Sequence, residues 1–352
     1  MKKFNIRAIV RDNVKKLKAY QAKEIPCRIK LDANESPFPI KIEQIVKEIN
    51  IPLNRYPDPE AIELRKAIGK KFKISYKNIM IGNGSDELIY YLVLTFGGPV
   101  LYPVPTFVMY GIISKSIGVE TIETKLDDSF DIDEKAIIEQ IKIKKPKLIF
   151  LSTPNNPTGN TFSSDKILKV IDFARKNSTL VVIDEAYYPF SNERGFLPLL
   201  KDYENLIILR TLSKIGFAAL RVGYLIANEE IIHEINKVRL PYNVDALTQY
   251  IAKEALNNMY PEIKKFVGLI IKERERVFKE LSNLSGLKVY PSEANFIFFT
   301  AKNSKEIYQR LTQEGILIRD MSSVIKNALR VTIGTKEEND EFLKTLKKIL
   351  EE

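Results

Sequence analysis

Thr179-Leu180-Val181-Val182-Ile183 runs directly into Asp184-Glu185-Ala186-Tyr187, and Leu206-Ile207-Ile208-Leu209 runs directly into Arg210-Thr211-Leu212-Ser213-Lys214-Ile215-Gly216. Both leading stretches are short, apolar and β-branched without polar alternation, which predicts parallel strands buried on both faces. Asp184 and Lys214 then each lie just beyond the carboxyl end of a strand. In an open α/β sheet that edge is where ligands bind.

The same texture extends on either side. Asn78-Ile79-Met80-Ile81, Val100-Leu101-Tyr102 and Lys147-Leu148-Ile149-Phe150-Leu151 are further strand candidates, separated by helical stretches. Val222-Gly223-Tyr224-Leu225-Ile226 adds another, with an antiparallel placement open to it. Such alternation gives a doubly wound, mostly parallel α/β sheet covered by helices. After about residue 244 the pattern changes: a charged helix over Glu262 to Leu284 is followed by strand candidates Asn295-Phe296-Ile297-Phe298-Phe299 and Leu329-Arg330-Val331-Thr332-Ile333. Thr335-Lys336-Glu337-Glu338 reads as a capping box opening a final helix. The chain therefore divides into an N-terminal arm (1–35), packing on the small domain or on a partner, a large domain (36–243) and a smaller α+β domain (244–352).

Composition narrows the chemistry. The chain has 352 residues with 45% apolar content, enough for a large core, and no linker or low-complexity tract divides it. Its single cysteine, Cys27, excludes an internal disulfide and a cysteine-clustered metal site; a small, partly buried side chain is expected there. The single histidine, His233, falls on a surface helix, which leaves a serine-hydrolase triad without a base and rules out a histidine-rich zinc centre. No metal site is expected. Net charge is +10, but lysines and glutamates are interspersed, as in Lys272-Glu273-Arg274-Glu275-Arg276, the pattern of a solvated helix face rather than a nucleic-acid surface. A basic surface favours small anionic substrates. The start of the chain lacks the apolar segment of a signal peptide. Leu88 to Ser114 is uncharged, yet Gly97-Gly98-Pro99 and Pro103-Val104-Pro105 break it into pieces too short to span a bilayer. A cytoplasmic protein with no membrane or nucleic-acid partner is expected.

A lysine able to form a Schiff base and an acid able to face a pyridinium nitrogen are what pyridoxal phosphate asks of a protein. The remaining motifs suit that cofactor. Gly82-Asn83-Gly84-Ser85-Asp86-Glu87 links a strand to a helix start, where glycines admit an anion and free N–H groups bind it, although an ordinary turn would look the same. Thr211 and Ser213 add hydroxyls, and Arg221 a bidentate cation. In Ser152-Thr153-Pro154-Asn155-Asn156-Pro157-Thr158-Gly159, Asn156 can donate to a ring oxygen. Tyr187, three residues past Asp184, can bond the same oxygen. Tyr110 could stack on the ring, although core packing is the better expectation for it taken alone.

These motifs, in this order, resemble those of fold-type I pyridoxal-phosphate aminotransferases, and within them the histidinol-phosphate aminotransferase family. The resemblance rests on Leu31-Asp32-Ala33-Asn34-Glu35-Ser36-Pro37, Asn54-Arg55-Tyr56-Pro57-Asp58, Gly82 to Glu87, Asn155-Asn156-Pro157-Thr158-Gly159, Asp184 to Tyr187, Leu212-Ser213-Lys214 and Leu329-Arg330-Val331-Thr332-Ile333-Gly334-Thr335. It implies that Lys214 carries the cofactor and moves the substrate proton, that Asp184 keeps the pyridine nitrogen protonated, and that Tyr187 and Asn156 bond the ring oxygen. It further implies that Ser85, Asp86, Thr211, Ser213 and Arg221 hold the phosphate, with Tyr56 reaching it from the second subunit of a homodimer with shared sites. Arg330 would pair with the carboxylate of glutamate. Tyr20, Asn34, Asn243 and Arg319 would line the place of a phosphorylated second substrate.

The chain departs from the family pattern in two places. The Lys214–Arg221 loop is one residue shorter than the common form, and Ala19-Tyr20-Gln21-Ala22 stands where a proline-tyrosine pair and a proline-glycine are usual. Histidinol phosphate is the default substrate on this resemblance. A smaller phosphorylated ketone such as dihydroxyacetone phosphate, aromatic transamination, or decarboxylation of a phosphorylated amino acid would use the same cofactor residues.

Overall fold

The computed structural model describes residues 4–19 and 25–352. Tyr20, expected among the substrate residues, lies outside them. A two-residue strand β1 (Ile29–Lys30) is followed by β2 (Ile79–Asn83), β3 (Val100–Val104), β4 (Thr121–Lys125), β5 (Leu148–Ser152), β6 (Leu180–Asp184), β7 (Leu206–Thr211) and β8 (Val222–Ile226). The last seven form one sheet in the order β2-β8-β7-β6-β5-β3-β4. Pairings from β3 to β7 are parallel, and β8 runs antiparallel to both β2 and β7.

The unbroken apolar runs have the reason anticipated for them. Ile149 and Leu151 of β5 enter one core cluster, while Leu148 and Phe150 enter the cluster on the opposite face. Val181 and Ile183 of β6 likewise part company with Val182. A strand covered on both faces cannot alternate apolar and polar residues. β4 was not among the expected strands. It is the sheet edge, and only Ile122 and Thr124 of its five residues are buried, which dilutes the apolar signal. The uncharged stretch near residue 100 resolves into helix Gly84–Phe96, strand β3 and helix Met109–Ile117. Among the described residues no helix is long and apolar enough to cross a membrane.

The second lobe contains β9 (Leu287–Val289), β10 (Phe296–Ala301), β11 (Ile316–Leu317), β12 (Arg319–Asp320) and β13 (Ala328–Thr332). Four of these form an antiparallel sheet, β12-β13-β10-β9, and β11 pairs with β1. The expected capping box is present: Glu338 N–H donates to Thr335 Oγ1 at 3.2 Å, and Thr335 N–H donates to Glu338 Oε2 at 2.8 Å. Helix Tyr260–Ser282 ties the lobes together through Arg274. That guanidinium is 1% exposed and donates to the carbonyls of Phe190 and Ala294. Arg11 and Asn13 donate to carbonyls at the end of helix Met109–Ile117, so this part of the arm lies against the large lobe, where the small domain or a partner was expected. His233 is exposed and Cys27 half-buried, in line with the sequence.

Candidate active site

The reversed strand β8 explains how distant motifs meet. Its first residue, Val222, pairs with Asn83 at the end of β2, and Gly223 pairs with Thr211 at the end of β7. The start of an antiparallel strand thus lies at the same edge as the ends of its neighbours. Ser85 and Asp86 in the first turn of helix Gly84–Phe96, Thr211 and Ser213, and Arg221 are thereby gathered at one place. The Thr211 hydroxyl lies 2.9 Å from Ser213 Oγ, and Arg221 Nη2 stands 3.5 Å from Asp86 Oδ2. Two glycines are required here by close approach. A Cβ on Gly84, whose φ is +78°, would come within 2.5 Å of Arg221 Nη2, and one on Gly223 within 2.4 Å of Ser85 N. Hydroxyls, a guanidinium and a helix N-terminus compose an anion cradle.

Asp184, at the end of β6, is 3% exposed. Tyr110 donates to its Oδ2 at 2.6 Å and the Ala186 N–H to its Oδ1 at 3.1 Å. Burial pushes the carboxyl up to about 6, and these two donors hold it back from rising further. It remains an anion at neutral pH, buried without a cationic partner from the described residues.

Next to it, two amide or phenol donors converge. Arg330 of β13 donates to Asn156 Oδ1 at 2.6 Å, which leaves the Asn156 NH2 without a hydrogen bond among the described residues. The neighbouring Asn155 serves the loop itself. It is fully buried and pins the loop to Pro105, Thr106 and Thr158. Asn34 Nδ2 donates to the Tyr187 oxygen at 2.9 Å, so the Tyr187 proton is free to be donated onward. Lys214 Nζ lies 5.8 Å from the Tyr187 ring centre and has no hydrogen bond or ion pair among the described residues.

Three expected residues play other parts. Tyr110 does not present a face to a ring: it is fully buried, lies flat on Phe150 with centroids 4.7 Å apart, and bonds Asp184. It sits on helix Met109–Ile117, whose inward face is core, whereas Phe107, half-buried just past β3, is nearer the ligand edge. Position relative to the strand end was the signal that favoured Phe107. Asn34 is 1% exposed and holds Tyr187 rather than lining a substrate space. Asn243 donates to Glu87 Oε2 at 2.6 Å and to the Ile81 carbonyl, and accepts from Arg239, so it braces the helix behind the anion cradle.

Arg319 and Arg330 face each other in register across β12 and β13. Arg330 also donates to the Asp32 carbonyl at 2.8 Å, while Arg319 has no hydrogen bond or ion pair among the described residues. Like charges at directly paired strand positions are unfavourable, and an anionic ligand bound there would offset that. Tyr56 stands apart, 81% exposed, its ring stacked on Tyr242 at 4.6 Å.

The cluster fits pyridoxal phosphate: an anion cradle, a buried carboxylate suited to a cation, two donors for one ring oxygen and an unengaged lysine. Similar proteins point the same way. Residues 28–346 match the family model described as aminotransferase class I and II. A histidinol-phosphate aminotransferase of Caldanaerobacter subterraneus subsp. tengcongensis is 40% identical over 98% of this chain and 99% of its own length. One from Aquifex aeolicus is 43% identical over 96% and 97% respectively. The crystal structure of the histidinol-phosphate aminotransferase from Clostridium acetobutylicum superposes with a TM-score of 0.84 at 27% identity, over 92% of this chain and 99% of that one.

Proposed function

Because this chain belongs to the class I and II aminotransferase family, we propose that it exchanges an amino group between glutamate or 2-oxoglutarate and a phosphorylated substrate, histidinol phosphate and its ketone imidazole acetol phosphate. The observation that carries the substrate class is the pairing of Arg319 with Arg330 across two strands, beside Asn156. Such a pair suits a phosphate in one half-reaction and a carboxylate in the other.

Bound pyridoxal phosphate supplies an electron sink for the electrons of a broken substrate C–H bond. Lys214 would anchor the cofactor through its Nζ, and the same Nζ would be the base that takes the proton from the amine-bearing carbon of the substrate. That Nζ is committed to no hydrogen bond or ion pair among the described residues and lies 5.8 Å from the Tyr187 ring centre. Asp184 would hold positive charge on the ring nitrogen, and its burial would strengthen that pairing. Asn156 and Tyr187 donate to the ring oxygen. Ser85, Thr211, Ser213 and Arg221 hold the phosphate, with Asp86 offering its backbone N–H and placing Arg221. Phe107, in place of Tyr110, would supply the apolar surface for the ring. The small lobe brings Arg330, and Arg319 paired with it in register, beside Asn156.

The reading includes a homodimer. Tyr56 is exposed alongside Leu53 (79%), Leu240 (64%) and Tyr242, an apolar patch that a second copy would cover. From there Tyr56 reaches the partner's phosphate cradle.

The test is a half-reaction series with the purified, cofactor-loaded protein. Histidinol phosphate should convert the cofactor to its amine form rapidly, and 2-oxoglutarate should restore it. If only serinol phosphate converts it, the substrate assignment is wrong and the chemistry right. Release of carbon dioxide from a phosphorylated amino acid, with no amine form of the cofactor, would overturn the transaminase reading.

A further inference from the structure

The two donors aimed at the ring oxygen belong to the large lobe, yet each is gripped from the small one. Asn156 is held by Arg330 of β13. Tyr187 is held by Asn34, and residues 31–34 are stapled to the small lobe by several hydrogen bonds, among them that of the Leu31 N–H to the Leu317 carbonyl at 2.7 Å. Thr332 N–H donates to the Leu31 carbonyl at 2.9 Å, and Arg330 to the Asp32 carbonyl at 2.8 Å. Asn34 N–H donates to Thr332 Oγ1 at 2.9 Å, and Asn295 Nδ2 to the Asn34 carbonyl at 3.0 Å. Asn34 Oδ1 accepts from Thr332 Oγ1 at 3.2 Å, so the amide is engaged at both ends. The residue is buried, and its φ of +56° is a conformation that asparagine tolerates and most residues do not.

We propose that Asn34 is a positioning residue that carries the seat of the small lobe to Tyr187, fixing the Tyr187 hydroxyl as a donor to the cofactor's ring oxygen. This rests on the aminotransferase reading above. A phenol whose oxygen accepts a hydrogen bond is a better donor of its own proton, because the two bonds polarise each other. Stronger donation to the ring oxygen weakens its grip on the proton of the nitrogen that joins Lys214 to the cofactor, and so lowers the pH at which that proton leaves. The charged and titratable groups around Tyr187 are Lys214 at 5.8 Å, Asp184 with the Tyr110 hydroxyl that donates to it, and Arg330, which lies over the Phe296 ring that Tyr187 meets edge-on. Asn34 is the one that hydrogen-bonds the Tyr187 oxygen among the described residues.

The measurement is the midpoint pH of the bound cofactor's visible absorbance change, in wild type, Asn34→Gly and Thr332→Val. Glycine keeps the left-handed backbone while removing the amide. The Asn34→Gly midpoint should rise by roughly half to one pH unit, the range of one hydrogen bond. Thr332→Val, which leaves Asn34 and Tyr187 intact, should rise by less, and the double variant should rise no further than Asn34→Gly. Should Asn34→Gly fail to fold, Thr332→Val carries the test alone. A wild-type midpoint in Asn34→Gly would overturn the role of Asn34, and one in Thr332→Val would overturn the link to the small lobe. A wild-type protein that binds pyridoxal phosphate without any such titration would instead remove the aminotransferase reading, and this inference with it.

Discussion

The Tyr110 hydroxyl donates to Asp184 Oδ2 across 2.6 Å, with both side chains shut away from solvent. The bond opposes the burial that drives the carboxyl towards its neutral form. Tyr110→Phe removes it with little change in volume. The carboxyl should then rise above about 6, the cofactor nitrogen should lose part of its counter-charge, and turnover should fall roughly tenfold, as for one buried hydrogen bond to a charged group. Steady-state kcat with histidinol phosphate checks this, and a kcat equal to wild type would show the bond to be idle.

Asp184 also sets a pH dependence in the cofactor-free protein. Its folded value, about 6, lies above the ordinary 3.8. Between those values the folded chain keeps a proton that the unfolded chain has lost, so this group's contribution to stability falls as pH rises across that window and is least above it. Asp184→Asn should flatten that slope and make the cofactor-free protein melt at higher temperature than wild type at pH 8, while turnover collapses. Thermal melts of both apoproteins at pH 4.5 and pH 8 decide it. A variant that melts lower than wild type at pH 8 would show the carboxylate to be better paired than its surroundings suggest.

Gly84→Ala meets two obstacles at once. Its φ of +78° disfavours a side chain by about 1–2 kcal/mol, and the new methyl would press on Arg221 Nη2. The variant should fold with reduced stability and hold pyridoxal phosphate roughly ten- to a hundredfold more weakly, the effect of displacing one charge-assisted contact. A cofactor titration followed by absorbance reads this directly; unchanged affinity would place the phosphate elsewhere.

The dimer proposal predicts complementation. Lys214→Ala and Tyr56→Ala should each be inactive or nearly so. After mixing, unfolding and refolding, hybrids with one intact site should return on the order of a quarter of wild-type activity, since statistical pairing makes half the dimers hybrid. No recovery, with hybrids present by mass, would mean that Tyr56 serves its own chain.

The large sheet was legible because burial on both faces forces continuous apolar runs, and Asp184 and Lys214 could be placed because the first directly follows such a run and the second lies five residues past one. The reversed β8 was legible as a strand but not in its direction, since direction depends on the neighbours rather than on Val222-Gly223-Tyr224-Leu225-Ile226 itself. What sequence spacing could not supply was orientation. Tyr110 and Phe107 are three residues apart, and only the seating of helix Met109–Ile117 decides which ring faces core and which faces ligand. Asn34 and Asn243 looked like substrate residues, because partners 153 and 156 residues away in the chain become visible only when the lobes are assembled.

The antiparallel course of β8 also sets the form of the loop after Lys214. Thr211 and Val222 are cinched together by the Leu212 N–H bond to the Val222 carbonyl at 2.9 Å, and the Thr211 hydroxyl lies 3.1 Å from that same carbonyl. Lys214 and Arg221 therefore hang from one closed hairpin, with Ile215 to Leu220 as its tip. A parallel successor would need a crossover of about a dozen residues or more, ending at the opposite edge of the sheet. Here a residue can be gained or lost at the tip while both stems keep their register. The segment behaves as a cassette whose length can change without disturbing the residues mounted on its two legs.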